Sequence, residues 1–167
     1  TKILAGVEVP TNGQLQLEGK DVRIESFHDA SDYGIGMIHQ ELNLFPNLNA
    51  AENIFIAREI TGGGIHIYHK TQVEQAQKIL DRLEADIDAC AQVADLRLGQ
   101  QQMVEIAKAL ALETRILIMD EPTSALSVTE VDVLFRVIRD LKRQGVSIVY
   151  ISHRLEEVIQ IGDYITV

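Results

Sequence analysis

The stretch Ile116–Pro122, with the sequence ILIMDEP, decides the fold of this 167-residue chain. Its four leading apolar residues predict a short buried strand, which the polar residues and the proline then end abruptly. Asp120 and Glu121 are adjacent carboxylates at the strand end and therefore point in different directions. One can hold Mg²⁺, directly or through water, while the other faces a reacting water. On spacing alone, an acidic loop after a buried strand explains these two residues equally well.

Two further apolar runs, GIGMI at residues 34–38 and VSIVYI at residues 146–151, also end in polar residues. Helical periodicity over residues 129–144, followed by Gly145, predicts a crossover helix between ILIMDEP and the last run. A crossover of that length makes the two flanking strands parallel. The sequence therefore predicts an α/β fold with a mostly parallel sheet.

The carboxyl ends of parallel strands meet at one edge of the sheet, where open α/β sheets bind their ligands. We therefore expect Asp120, Glu121 and His153 to lie close together, with Gln40 as a fourth member of the group. A neutral imidazole can donate to, or accept from, a phosphate oxygen or a water. A glutamine amide can offer its oxygen to a metal. Taken singly, a histidine or glutamine after a strand is more often an ordinary polar loop residue.

The other segments carry weaker signals. Residues 1–6 are typical of the end of a helix with a glycine just beyond it. Period-2 alternation at residues 14–17 and 22–24 predicts a small antiparallel hairpin. Apolar spacing over about residues 48–102 predicts a helical subdomain inserted in the α/β core, and the glycine-rich residues 61–64 predict a loop within it.

Composition narrows the classes of function. The net charge is −10, which repels nucleic-acid backbones, so we expect no nucleic-acid partner. Cys90 is the lone cysteine and cannot form an internal disulfide, which favours the cytoplasm. The sequence has no apolar run long enough to span a membrane and no signal-peptide pattern at its start.

Five stretches resemble motifs of one known family. Residues 95–110 (DLRLGQQQMVEIAKAL) and 116–126 (ILIMDEPTSAL) resemble the signature motif and the Walker B strand of ABC transporter ATPases. Residues 149–154 (VYISHR) are similar to the histidine switch, residues 37–42 (MIHQEL) to the Q-loop, and residues 124–127 (SALS) to the D-loop. The residues of these motifs resemble those of the tandem ATPases of bacterial ribose, galactose and xylose importers. Within these ATPases they resemble the N-terminal nucleotide-binding half. The resemblance implies a P-loop NTPase-like sheet with a helical subdomain and a small antiparallel β part.

The resemblance also implies an ATP site with Mg²⁺ as cofactor. Asp120 would hold Mg²⁺, and Glu121 would act as the general base that polarises the attacking water. His153 would contact the γ-phosphate. Gln40 would touch Mg²⁺ and the water and report the nucleotide state to a membrane partner. Phosphoryl transfer needs mainly positioning and charge stabilisation, which suits such a set of ordinary side chains.

A second group of residues would act across a dimer. In the family, the signature motif closes on ATP held by the opposing nucleotide-binding half. The resemblance assigns this role to Leu96, Gly99 and Gln100, with Ser127 at the same interface.

The implied partners are transmembrane permease subunits, with a periplasmic sugar-binding protein acting indirectly. We expect the chain to lie on the inner face of the cell membrane. Residues 43–58 resemble the region that contacts the permease, with Leu44, Phe45, Pro46 and Leu48 as an apolar docking patch. Ordinary packing of a short helical subdomain explains that patch equally well.

Two departures from the family pattern stand out. The glycine-rich phosphate loop is not present in this sequence, and residues 1–6 resemble the stretch that follows it. Residues 163–167 are typical of a strand cut short, so the resemblance indicates a fold incomplete at both ends. We therefore expect this piece to bind Mg-ATP weakly or not at all.

The second departure is Arg97, which stands where the signature motif has serine. A guanidinium cannot occupy the place of a serine hydroxyl, so it either blocks dimer closure or pairs with a phosphate. Blocking would make the chain a degenerate, non-hydrolysing regulatory half, which is the main alternative to an ATPase. A signalling receiver domain phosphorylated on Asp120 is a third reading, but the signature motif has no place in such a domain.

Overall fold

The computed structural model describes residues 2–39, 41–56, 61–62, 66–67, 69–112 and 114–166. In chain order, its strands and helices are β1 (Leu15–Leu17), β2 (Lys20–Val22), α1 (Phe27–Asp32), β3 (Ile35–Ile38), α2 (Ala50–Ile54), β4 (Thr61–Gly62), β5 (His66–Ile67), α3 (His69–Arg82), α4 (Leu98–Leu110), β6 (Ile116–Asp120), α5 (Val128–Arg143), β7 (Ser147–Ile151) and α6 (Leu155–Ile161).

The predicted parallel sheet is confirmed, with strand order β3–β6–β7 and both pairs parallel. The middle of β6 is buried because helices cover the sheet, and this explains its uninterrupted apolar run. Helix α5 is the predicted crossover between β6 and β7. The register places Asp120 opposite Ile151, so both strands end at the same edge.

The predicted hairpin is also confirmed as the antiparallel pair of β1 and β2. Its two-residue turn is Glu18 and Gly19, with φ angles of 52° and 76°. Positive φ at both positions is the type I′ geometry whose twist matches that of the strands.

The first described residues show the pattern that ends a helix. The Gly6 N–H donates to Ile3 O (3.1 Å) and the Val7 N–H to Lys2 O (2.9 Å), with Gly6 at φ +71°. These two bonds form a Schellman motif. Residues 2–6 are a turn, so the motif is present in the described chain without a regular helix before it.

Two local predictions are wrong. Thr61–Gly62 pairs antiparallel with His66–Ile67, so part of the expected glycine loop is a short strand. Residues 163–166 form no strand, because they find no strand partner among the described residues and Tyr164 is 98% exposed. The predicted helix content of the middle segment is seen as α2, α3 and the first turn of α4.

The main hydrophobic core joins the helical segment to the sheet. Its fully buried side chains come from β3, α3, α4, β6 and α5, among them Ile38, Leu80, Ile106, Met119 and Phe135. Helices α2, α3 and α4 pack on one another and α4 packs on β3. A shared core of this kind fixes the helices relative to the strand ends.

Candidate functional site

The ends of β6 and β7 bring Glu121 and His153 into contact. His153 Nδ1 lies 3.2 Å from Glu121 Oε1. The Glu121 N–H donates to Ile151 O at 3.0 Å, which ties the first residue after β6 to the last residue of β7. We call Glu121 and His153 the candidate catalytic pair. The side chains are 25% and 71% exposed, so water reaches both.

The backbone at Glu121 is unusual. Its φ is +47°, a left-handed conformation that costs about 1–3 kcal/mol for a residue with a side chain. The chain enters this turn from a buried strand and leaves it through Pro122 and Thr123, which are also buried. Such strain persists only where the surrounding structure fixes it, and it clusters at functional sites.

Asp120 is the last residue of β6 and is half-buried beside the pair. Among the described residues, no group of three or more His, Cys, Asp or Glu side chains could hold a metal by itself. A single carboxylate at an open edge suits Mg²⁺, which keeps several waters and takes one or two carboxylates plus substrate phosphates. Gln40, the other predicted Mg²⁺ residue, lies outside the described residues.

A buried carboxylate stands behind the pair. Glu157 on α6 is 4% exposed and accepts hydrogen bonds from Thr123 Oγ1 (2.9 and 3.0 Å), Tyr150 Oη (2.8 Å) and Ser152 Oγ (2.9 Å). Its Oε1 also lies 2.7 Å from Arg154 Nη1. Burial alone would raise the pKa of Glu157, but these donors together hold that pKa below its usual range. Burial and the bond to Glu157 raise the pKa of Tyr150.

The sequence reasoning missed Glu157. A glutamate at the start of a short helix normally reads as a solvated residue favoured by the helix dipole. The available signal was the hydroxyl-rich surroundings, since Thr123, Tyr150 and Ser152 all fall at the ends of predicted strands.

The residues predicted to act across a dimer form a separate group. One cleft of about 500 Å³, which we call the signature cleft, is lined by Arg97, Gly99, Gln100 and Ser127. Neither member of the candidate catalytic pair lines it. Leu96 is half-buried, packs against the main core and does not line the cleft.

Two of these side chains already have local partners. Gln100 Oε1 accepts from the Arg97 N–H at 3.1 Å, and its Nε2 donates to Asp86 O at 3.0 Å. Ser127 is the N-cap of α5 and forms a capping box with Glu130. The geometry therefore gives Gln100 and Ser127 structural roles, while their action across a dimer stays a prediction.

Gly99 sits where α4 approaches the loop before α5. A Cβ at this position would lie 3.1 Å from Ala125 O. The first turn of α4 and the loop after β6 are therefore in close contact, and this contact forms one side of the signature cleft.

The model of a family described as ABC transporter matches residues 1–124. The chain belongs to the ABC transporter family. The predicted family is thereby confirmed.

Two curated relatives of this ABC transporter chain have sugar-import names. It is 55% identical to the "Ribose import ATP-binding protein" of Rhodopirellula baltica over 99% of its length and 32% of the relative. It is 46% identical to a "Putative ribose/galactose/methyl galactoside import ATP-binding protein" of Geobacillus kaustophilus, over 99% of its length and 33% of that protein. The chain thus spans about a third of the curated relatives it matches.

Solved structures confirm the predicted fold. A dimeric ATP-binding cassette in a post-hydrolysis state, bound to ADP and Pi, has a TM-score of 0.79 at 24% identity and aligns over 95% of this chain and 70% of that one. A nucleotide-free cassette from an ABC transporter has a TM-score of 0.79 at 24% identity over 96% and 67% of the two chains. At this identity the likeness shows the fold: a cassette-type parallel sheet with helices and a small antiparallel part.

Proposed function

We propose that this chain is part of the ATP-hydrolysing subunit of an ABC importer for a sugar. The observation that carries the proposal is the contact between Glu121 and His153 at the ends of two adjacent parallel strands. Membership of the family and the sugar-import names of the relatives support it.

In the proposed chemistry, Glu121 accepts a proton from the water that attacks the terminal phosphate of ATP. In its doubly protonated form, His153 donates from Nδ1 to the Glu121 carboxylate and from Nε2 to a phosphate oxygen. Asp120, with Gln40, would hold Mg²⁺, which neutralises charge on the phosphate oxygens when bound. A positioned general base contributes about 10²–10⁴-fold to such a step.

The test is phosphate release from Mg-ATP by the intact polypeptide that contains this chain, measured with and without EDTA. Release that depends on Mg²⁺ is expected. Tight Mg-ATP binding without release would contradict hydrolysis and favour the regulatory alternative.

We propose a second nucleotide-binding half as the partner at the signature cleft. The exposed apolar side chains Leu98 (61%) and Val128 (77%) begin α4 and α5, next to the cleft residues Arg97 and Ser127. Gly99, Gln100 and Ser127, which line the cleft, would face ATP held by that partner.

The regulatory alternative rests on Arg97. Its side chain is exposed at the signature cleft and forms no ion pair among the described residues. A guanidinium that faces the partner half would occupy space that must be free when the two halves close on ATP.

We expect Arg97→Ser to raise ATP turnover several-fold in the intact polypeptide, because the blocking side chain is removed. Arg139→Ser, at an exposed position on α5, is the matched control and should leave turnover unchanged. Steady-state phosphate release measures both. An equal or lower rate for Arg97→Ser would show that the arginine is tolerated or useful.

The proposed contact with a permease centres on Phe45, whose side chain is 50% exposed. The fully buried Asn53 holds this segment: its Oδ1 accepts from the Phe45 N–H (2.7 Å), and its Nδ2 donates to Phe45 O and Asn49 O (both 3.0 Å). A buried amide with such bonds fixes the loop, so Phe45 is held outward rather than packed.

We expect Phe45→Asp to abolish co-purification with the permease, because a charge replaces an apolar contact. Phe27→Asp is the control, since Phe27 is 53% exposed on a different element, α1. If the Phe45→Asp variant still co-purifies with the permease, the permease docks at another surface.

We propose a peripheral location on the inner face of the cell membrane, with a periplasmic sugar-binding protein as an indirect partner. Within the described residues, no helix is both long and apolar enough to cross a membrane. The net charge of −10 also argues against a nucleic-acid partner.

A further inference from the structure

The carboxylate of Glu157 joins the two loops that carry the candidate catalytic pair. Thr123, one of its donors, lies two residues after Glu121. Ser152 and Arg154, two others, directly flank His153. The loop after β6 and the loop after β7 are therefore held by one side chain from α6.

The bonds also shape the turn at His153. Ser152 Oγ donates to Glu157 Oε2 and accepts from the Arg154 N–H at 3.0 Å. Residues on both sides of His153 are thus fixed to the same carboxylate. The His153 ring itself is 71% exposed, and packing does little to hold it. The backbone on either side must supply its position.

Burial of an ionised carboxylate is costly unless donors compensate for the lost water. Glu157 has three hydroxyl donors and a guanidinium, and charge-assisted bonds of this kind are about twice as strong as neutral ones. A neutral amide at this position would offer these donors one acceptor oxygen in place of two and would set an amino group against the others. The loops after β6 and β7 would then be joined mainly through the backbone bond between Glu121 and Ile151.

We propose that Glu157 is a positioning residue that holds His153 against Glu121 by tying the loop after β6 to the loop after β7. The proposal rests on the proposed function, because it assigns the purpose of the bond network to the ATPase site. Glu157 itself touches neither nucleotide nor attacking water.

The test is Glu157→Gln in the intact polypeptide, with Glu156→Gln, an exposed neighbour on the same helix, as the matched control. We expect Glu157→Gln to lower kcat about tenfold or more, since misplacement of about 1 Å can cost a hundredfold. The KM for ATP should change less than kcat, within about twofold, because Glu157 itself makes no contact with ATP. Glu157→Asp, which keeps the charge, should recover part of kcat.

A spectroscopic readout separates this proposal from the proposed function. In histidine-labelled protein, Glu121→Gln should shift the NMR ring signals of His153, and this response should disappear when Glu157→Gln is also present. The response is measurable even if the protein hydrolyses no ATP, in which case the proposed function fails on its own.

A wild-type kcat for folded Glu157→Gln would overturn the proposal. It would also be overturned if Glu121→Gln shifted the His153 ring signals equally with and without Glu157→Gln. If Glu157→Gln does not fold, Ser152→Ala removes one donor beside His153 and should lower kcat about threefold at unchanged KM. A wild-type kcat for folded Ser152→Ala would overturn it as well.

Discussion

Replacing Glu121 with glutamine should lower ATP turnover by about a hundredfold or more in the intact polypeptide that contains this chain. The amide keeps the size and polarity of the side chain but cannot accept a proton from water. It also replaces the carboxylate that faces His153 Nδ1 at 3.2 Å with a neutral group. Binding of Mg-ATP should be retained, because Asp120 remains in place to hold the metal.

Phosphate release and nucleotide binding should be measured on the same preparation of Glu121→Gln. Glu74→Gln, at an exposed position on α3, is the control for removing one acidic charge. A rate equal to that of the wild type would exclude Glu121 as the base. If the wild-type protein binds Mg-ATP but releases no phosphate, the effect of Glu121→Gln on turnover cannot be measured. That result would support the regulatory alternative.

The strands of the central sheet could be predicted because each of them is a short run of mostly apolar residues. An apolar run such as ILIM is what a strand covered on both faces requires, and VSIVYI has the same pattern although β7 is only partly buried. The helix between them fixes their direction, so the meeting of Glu121 and His153 follows from topology. The left-handed backbone at Glu121 does not follow, because no glycine or asparagine marks it.

The bonds around Glu157 could not be predicted, since they depend on how α6 packs against the strand ends. A helix of seven residues has little periodicity of its own, and its outer residues Leu155 and Ile159 are apolar and exposed. Sequence pattern alone would place these two inside and Glu157 outside. The four side-chain partners of Glu157 decide the opposite orientation.

At the signature cleft, the motif resemblance predicts contacts with nucleotide, whereas the local structure shows that the same residues cap helices. The resemblance assigned Gln100 and Ser127 to a nucleotide held across a dimer, yet both side chains also stabilise helix starts in this chain. Capping residues at α4 and α5 are worth about 1 kcal/mol each. Their substitution therefore changes stability as well as activity. Arg97→Ser also changes stability, because Arg97 is the N-cap of α4 and serine is a preferred N-cap residue, so stability must be measured beside turnover.

The N-terminal turn provides the prediction with the largest effect on stability. Gly6 has φ +71°, and a Cβ there would lie 2.1 Å from Ser26 O and 2.8 Å from the Phe27 backbone nitrogen. Ser26 is the N-cap of α1, so these backbone atoms are fixed by the start of a helix. We expect Gly6→Ala to lower the free energy of unfolding by about 3 kcal/mol or more, through backbone strain and the steric clash together.

Gly19→Ala separates the two causes of that loss. Gly19 also has a left-handed backbone, φ +76°, but a Cβ there would meet nothing within 4 Å. Its substitution should therefore cost about 1–2 kcal/mol, the price of strain alone. Urea unfolding followed by far-UV circular dichroism suits this chain, which contains no tryptophan. Equal losses for the two variants would mean that the turn at Gly6 moves away from Ser26 freely, and that α1 does not depend on the close contact between them.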